Sequence, residues 1–122
     1  MPTPRTKLGS WGEERAGRFL QDKGYHILAT NYRSSDGEAD IVALDGKELV
    51  FVEVRTRRGG KFGAPEASLS KGKVNRLVNT CQDYVQNTDS ENIDWRVDLV
   101  CIYLGPDREV RRIHHLQHAV QL

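Results

Sequence analysis

The sequence has no apolar run that approaches the ~20 residues of a membrane-spanning helix. Its first ten residues, MPTPRTKLGS, also lack the apolar stretch of a secretory signal. These absences exclude a membrane-spanning helix, and we expect a cytoplasmic protein that does not act at a membrane. Charge of one sign is not in large excess either, since the formal net charge is +1.

Cysteine is scarce, and Cys81 and Cys101 are the two present. They lie in separate apolar stretches and form no CxxC pair, so neither a disulfide framework nor a structural zinc site is expected. We predict two buried thiols. The length of 122 residues suits one hydrophobic core better than two. We therefore expect a single domain over 1–122, with a core of about 8–115 and a short flexible N-terminus.

The positive charge is concentrated in one segment. Between Arg55 and Lys73 there are six basic residues and one acid, Glu66, whereas the rest of the chain has 12 basic and 16 acidic residues. Such a segment suits a polyanion, and nucleic acid is the obvious class. An ordinary solvated loop is the alternative. The residues assigned to nucleic-acid contact are Arg57, Arg58, Lys61, Lys71 and Lys73.

The pattern of apolar residues predicts an α/β fold with the element order αβββαββ. The first helix has its apolar residues at helical spacing and ends at Gly24. Asp45-Gly46 is a strong hairpin signal between two of the strands. The predicted elements are a helix over 8–24, strands over 25–33, 38–44 and 47–55, a helix capped by Ser68 or Ser70, and a final hairpin over 95–116.

Carboxylates are concentrated on the central hairpin. A two-residue turn at Asp45-Gly46 pairs Asp40 with Phe51 and Glu38 with Glu53, which places three carboxylates on one face. Charges about 5 Å apart repel by roughly 3 kcal/mol at an effective dielectric of ~20. A nearby arginine, protonation of one acid or a divalent cation would offset this repulsion, and hard oxygen ligands suit Mg²⁺ or Mn²⁺. A solvated edge held by salt bridges is the alternative.

Several motifs follow one another over about residues 8–102. They are GxxGExxAxxFL from Gly9, GEADIVALD from Gly37, FVEVRTR from Phe51, FGAPE from Phe62, SxxK from Ser70 and RVDLV from Arg96. In this order they resemble the YraN family of small bacterial predicted endonucleases. That family is related to the archaeal Holliday junction resolvases and belongs to the PD-(D/E)XK nuclease superfamily, in which Asp and Glu-x-Lys lie on neighbouring strands.

The resemblance implies a restriction-endonuclease-like core, with a mixed β-sheet flanked by helices. It implies a divalent metal, Mg²⁺ or Mn²⁺, held by Asp40, Glu53 and the backbone carbonyl of Val54. Glu13 would be an auxiliary acid from the first helix, and Lys73 matches the family's lysine. The implied substrate is DNA, with branched DNA among the candidates, and a homodimer is one way to cut two strands.

The helical spacing supports the choice of Glu13 independently of the resemblance. Glu13 lies at the edge of the buried arc, whereas Glu14 lies beside Arg18 and Gln21 on the solvated side. We therefore interpret Glu13 as a site residue and Glu14 as a solvated one.

Arg55 departs from the superfamily motif, which has lysine at this position. Arginine stays charged and cannot act as a base, although Arg55 could hold the scissile phosphate and stabilise developing charge. Water activation would then depend on the metal, on Lys71 or on Lys73, and a solvated first helical turn is the alternative for both lysines. The candidate catalytic residues are Glu13, Asp40, Glu53, Arg55 and Lys73.

The expected function is that of a metal-dependent endonuclease acting on DNA phosphodiester bonds. A nuclease fold that binds DNA or a partner without hydrolysis is the main alternative, and a metal-free interaction domain is a third. His114, His115 and His118 form HHxxH, which on a helix could bring His114 and His118 together as metal ligands, but a surface cluster is favoured. Asp98 is either a buried structural acid paired with Arg96 or a catalytic one.

Overall fold

The computed structural model describes residues 4–58 and 69–122, with side chains from residue 9 onward. Its elements are α1 (Pro4–Asp22), β1 (His26–Arg33), β2 (Glu38–Asp45), β3 (Glu48–Arg58), α2 (Lys71–Asn87), β4 (Trp95–Leu104) and β5 (Val110–Leu116). The predicted order αβββαββ is confirmed, although α1 begins before the predicted Leu8. Lys61 and Ser68 lie outside the described residues. Within the described ranges, neither helix is long and apolar enough to cross a bilayer.

The five strands form one mixed sheet in the order β1-β2-β3-β4-β5. β3 and β4 are parallel, and the other neighbours are antiparallel. Parallel neighbours require a crossover connection, which α2 supplies. α1 packs on one face of the sheet through Ala16 and Leu20, and α2 packs on the other through Leu77 and Cys81. The predicted α/β class with a mixed, helix-flanked sheet is therefore confirmed.

The end of α1 shows why Gly24 terminates it, as predicted. The amides of Gly24 and Tyr25 donate hydrogen bonds to the carbonyls of Gln21 (2.9 Å) and Leu20 (3.0 Å). This pair of bonds is a Schellman motif, which requires a left-handed residue after the helix. Gly24 has φ +94°, and a side chain there would be strained.

Gly12 brings α1 close to β3. A Cβ atom at this position would lie 2.3 Å from Oγ1 of Thr56 and 3.9 Å from Cγ1 of Val54. Only a residue without a side chain allows this separation. The close approach holds Glu13, the next residue, against the end of the sheet.

The predicted register of the central hairpin is wrong by two residues. Gly46 and Lys47 form the loop, so that Asp45 pairs with Glu48 and Val42 pairs with Phe51. Gly46 has φ +62° and stands first in the loop, which is the position where a two-residue turn favours glycine.

A shift of two residues leaves every side chain on its predicted face. It does change the direct neighbours. Backbone pairing of β2 with β3 ends at Ile41–Val52, and the same register continued by one pair places Asp40, rather than Glu38, opposite Glu53. Both carboxylates therefore lie where the two strands begin to separate.

Candidate metal centre and cleft

A cleft of about 620 Å³ opens where β2 and β3 separate, between α1 and the first turns of α2. Acidic side chains from α1, β2 and β3 line it together with basic side chains from β3 and α2. The acids are Glu13, Glu38, Asp40 and Glu53, and the bases are Arg55, Arg57, Lys73 and Arg76. The structure thus brings all five predicted catalytic residues to one cleft.

Three of the acids form a compact group of oxygen donors. One carboxylate oxygen from each of Glu13, Glu38 and Asp40 lies within 4.8 Å of the other two. Asp40 is buried, with 7% of its surface exposed, whereas the side chain of Glu38 is 38% exposed. Carboxylate oxygens grouped at this distance, partly open to solvent, fit the preference of Mg²⁺ and Mn²⁺ for hard oxygen ligands and retained waters.

Asp40 takes the place of a backbone partner at the end of the β2–β3 ladder. Its Oδ2 accepts a 2.8 Å hydrogen bond from the amide of Val54, which fixes the carboxyl group in the cleft. Burial, followed by the charge of Glu53, raises the pKa of Asp40 to about 8, against the opposing effect of the Val54 amide. Negative charge in this group is therefore poorly compensated by the described residues, as a cation site requires.

Glu13 reaches this group from α1. Burial is the main cause that raises its pKa, and the charges of Glu38 and Glu53 act in the same direction, while hydrogen bonds with Asn31 and Asp40 oppose them. Glu14 is exposed on the same helix and does not line the cleft. The helical pattern therefore separated these two acids correctly by position.

Glu53 is paired with two cations in the structure. Its Oε1 lies 2.6 Å from Nη1 of Arg55 and 3.3 Å from Nζ of Lys73. Burial raises the pKa of Glu53, and Arg55 opposes that effect. Glu53 lies outside the group of three acids whose oxygens are within 4.8 Å of one another, and its own charge is opposed by these two side chains.

Arg55 also contacts the backbone carbonyl that the family resemblance assigns to a metal. Its Nη1 donates to the carbonyl oxygen of Val54 at 3.4 Å. One guanidinium therefore bonds to both the Glu53 carboxylate and the Val54 carbonyl.

The remaining basic residues occupy different places. Lys73 points to Glu53 from the first turn of α2, which Ser70 caps by accepting a hydrogen bond from the amide of Lys73 (3.3 Å). Lys71 is exposed and does not line the cleft. Arg57 lines the cleft, while Arg58 is exposed at the end of β3.

Sequence reasoning placed Glu38 on one face with Asp40 and Glu53 but did not name it as a site residue, and it did not assign Arg76, although both line the cleft. Arg76 lies three residues after Lys73, and this spacing places two side chains on one helix face. Glu38 alternates with Asp40 along β2. Both signals were available once Lys73 and Asp40 had been chosen.

Asp98 is a structural acid. It is fully buried and accepts hydrogen bonds from Nε of Arg96 (2.9 Å) and from the amide of His118 (3.1 Å), and its Oδ2 lies 2.7 Å from Nε2 of His115. It does not line the cleft.

The prediction of a surface histidine cluster is wrong for His115, whose side chain is 3% exposed. His114 and His115 lie on a strand, so they face opposite sides of the sheet.

A mixed sheet between two helices, with carboxylates at the parting of two strands, defines an α/β protein with a nuclease-like core. The model of the uncharacterised protein family UPF0102 matches residues 12–102. The chain belongs to this family, which is the YraN family.

Three relatives from this family match the chain over nearly its whole length. A UPF0102 protein from Roseiflexus castenholzii is 42% identical over 118 residues, which cover 96% of this chain and 95% of the relative. One from Caldicellulosiruptor saccharolyticus is 39% identical, covering 94% and 98%, respectively. One from Desulforamulus reducens is 38% identical, covering 98% and 100%. Each of these matches spans almost all of both chains.

Proposed function

We propose that the protein is a Mg²⁺- or Mn²⁺-dependent endonuclease that hydrolyses phosphodiester bonds of DNA, with branched DNA among its substrates. The observation that carries the proposal is the cleft at the parting of β2 and β3. There, three carboxylate oxygens lie within 4.8 Å of one another, and basic side chains from β3 and α2 line the same cleft. Metal-assisted hydrolysis of a polyanion needs both features in one place.

The acids of the cleft fit a divalent cation by donor type. Glu13, Glu38 and Asp40 would hold it, and Glu53 lies next to them. When bound, such an ion polarises a phosphoryl oxygen and lowers the pKa of a water molecule. It would also compensate the charge of Asp40, for which burial and Glu53 are the main unfavourable influences.

The basic residues supply the complementary part of the chemistry. An arginine cannot act as a base, so the role of Arg55 is to hold the scissile phosphate and to stabilise the charge that develops on it. Lys73 approaches the same region from α2 and orients the attacking water. In the reaction the water oxygen bonds to phosphorus, one P–O ester bond breaks, and the released oxygen takes up the proton that water loses.

One observation favours a second candidate, a DNA- or partner-binding module without hydrolysis. Arg55 bonds to Glu53 and to the Val54 carbonyl, which are two of the three ligands that the family resemblance assigns to the metal. An arginine that kept these contacts would prevent both groups from binding a cation. In the first candidate Glu13, Glu38 and Asp40 would hold the ion instead, so the two candidates differ in whether a cation binds and supports hydrolysis while Arg55 keeps these contacts.

Cleavage assays test the first candidate directly. Labelled four-way junction, flap, duplex and single-stranded DNA are incubated with Mg²⁺ or Mn²⁺ and with wild type, Asp40→Asn or Glu14→Gln. We expect wild type to cleave at least one substrate, and this cleavage should require the divalent ion. The cleavage rate should fall by about 100-fold or more in Asp40→Asn and should be unchanged in Glu14→Gln. Absence of cleavage by wild type, or equal cleavage by Asp40→Asn, would refute hydrolysis at this cleft.

The second candidate has its own distinguishing outcome. If wild type binds a DNA substrate and cuts none, while Arg55→Lys cuts it, the binding module is correct. If Arg55→Lys cuts no better than wild type and Arg55→Gln abolishes cutting, Arg55 participates in hydrolysis and the first candidate stands.

A further inference from the structure

A row of three residues crosses the sheet beyond the area that α2 covers. Arg57 on β3 pairs with Tyr103 on β4, and Tyr103 pairs with Arg112 on β5. Phe51 on β3 and Val97 on β4 lie an even number of positions, six, before Arg57 and Tyr103, respectively, and they pack beneath α2. Because side chains alternate along a strand, the row lies on the α2 face of the sheet.

The row is continuous with the cleft through Arg57, which lines it. At the other end, the guanidinium carbon of Arg112 lies 4.7 Å from the centre of the Tyr103 ring. This cation–π contact orients Arg112 while leaving the residue exposed. Neighbouring strands are about 4.8 Å apart, so the two arginines stand about 10 Å apart across β4.

The charge of this part of the sheet is positive. Within residues 4–58 and 69–122, neither Arg57 nor Arg112 forms an ion pair with a carboxylate. In the adjacent row on the same face, Arg55 and His114 flank Cys101, but Arg55 is paired with Glu53, so within these ranges the unpaired positive charge comes from Arg57 and Arg112. A phosphate backbone complements such a surface, since exposed arginines bind phosphates and this binding releases the counterions of the DNA into solution.

We infer that the row Arg57–Tyr103–Arg112 is a nucleic-acid track, along which the phosphate backbone of DNA leaves the cleft and crosses β4 to reach β5. The inference rests on the proposed function, since it takes the cleft as the place where DNA is held. It adds β5 to the binding surface and assigns a phosphate contact to Arg112.

Arg111 provides a matched control for Arg112. It is the preceding residue on the same strand and is likewise exposed, but it faces the other side of the sheet. Its Nη2 pairs with Asp107 at 3.2 Å. Replacing either arginine by glutamine removes one positive charge from the same strand, so a difference between the variants reports position rather than net charge.

Fluorescence anisotropy of labelled DNA, titrated with protein in EDTA at 50–200 mM salt, tests the track without hydrolysis. For Arg112→Gln we expect binding weakened by roughly 3- to 10-fold, and a slope of log affinity against log salt that is lower by about 1. Arg112→Lys should keep most of the slope. Arg57→Gln, at the other end of the row, should repeat the effect, and Arg111→Gln should match wild type.

The track is refuted if Arg112→Gln binds like wild type, if Arg111→Gln weakens binding equally, or if wild type binds no DNA. Circular dichroism establishes whether each variant is folded. If Arg112→Gln does not fold, Arg57→Gln tests the track in its place. Failure of the track and failure of the proposed function remain distinct. Divalent-dependent cleavage with an unaffected Arg112→Gln refutes the track alone, whereas weakened binding by Arg112→Gln without any cleavage by wild type refutes hydrolysis alone.

Discussion

Nζ of Lys73 lies 3.3 Å from Oε1 of Glu53, and this ion pair joins the first turn of α2 to β3. The lysine side chain is 37% exposed and the glutamate side chain 6%. The Ser70 cap fixes where α2 starts, and thereby which of its first residues faces the cleft. The crossover helix α2 thus brings the ammonium group of Lys73 to the carboxylate of Glu53 on β3, the strand that precedes it.

Lys73→Gln should lower the rate of DNA cleavage and leave divalent-ion binding intact. The reason is that Lys73 acts on the attacking water, for which general acid–base or orienting groups contribute about 10²- to 10⁴-fold, while its loss frees Glu53 of one competing cation. Single-turnover cleavage kinetics and Mn²⁺ titration measure the two effects separately. Lys71→Gln removes the same charge from an exposed position two residues earlier, and an equal loss of rate in that variant would contradict the assignment.

Gly12→Ala should destabilise the protein, whereas Gly17→Ala on the same helix should stabilise it. A Cβ at Gly12 would lie 2.3 Å from Thr56 Oγ1, but one at Gly17 meets nothing within 4 Å. We expect a loss of about 1–3 kcal/mol for Gly12→Ala because of overpacking. Gly17→Ala should gain about 0.5–1 kcal/mol from helix propensity. Urea unfolding measures both, and a stabilising Gly12→Ala would contradict the close packing of α1 on β3.

The free energy of unfolding should fall in acid as Asp98 becomes protonated. Burial by itself would raise the pKa of Asp98, but the hydrogen bonds of His115 and Arg96 outweigh it, and the pKa lies below its ordinary value of 3.8. A carboxyl group with a depressed pKa in the folded state stabilises that state above its unfolded pKa. This contribution is lost as the pH falls through the folded pKa.

Asp98→Asn should therefore cost about 3 kcal/mol or more at pH 7, because it leaves the buried Arg96 without its main partner. The difference from wild type should shrink below about pH 4. Urea unfolding from pH 3 to pH 7 measures this difference, with the exposed Asp94→Asn as control. A difference that stays constant over the whole range would show that the charge of Asp98 does not contribute.

The faces of the central strands could be predicted from the sequence, but their register could not. Glycine is required at one position of the hairpin loop, and both Asp45-Gly46 and Gly46-Lys47 supply it. The two choices differ by two residues, so they agree on which side chains share a face and disagree on whether Glu38 or Asp40 stands opposite Glu53.

The start of α2 posed a similar problem. Ser68 and Ser70 are both good caps, and a helix turns about 100° per residue, so the sequence could not separate Lys71 from Lys73 as the lysine that reaches Glu53. The position of His115 could not be predicted either. Its partner, Asp98, belongs to another strand, and strand pairing rather than local pattern brings them together.

Mn²⁺ binding tests the central claim, a cation site built around Asp40, most directly. The electron paramagnetic resonance signal of free Mn²⁺ is followed as wild type, Asp40→Asn and Glu14→Gln are added at pH 8, because binding broadens that signal beyond detection. We predict saturable loss of signal with wild type and with Glu14→Gln, and affinity at least about tenfold weaker with Asp40→Asn, whose amide replaces a carboxylate ligand. A wild type that leaves the signal unchanged, or an Asp40→Asn variant that removes it equally well, would contradict the account.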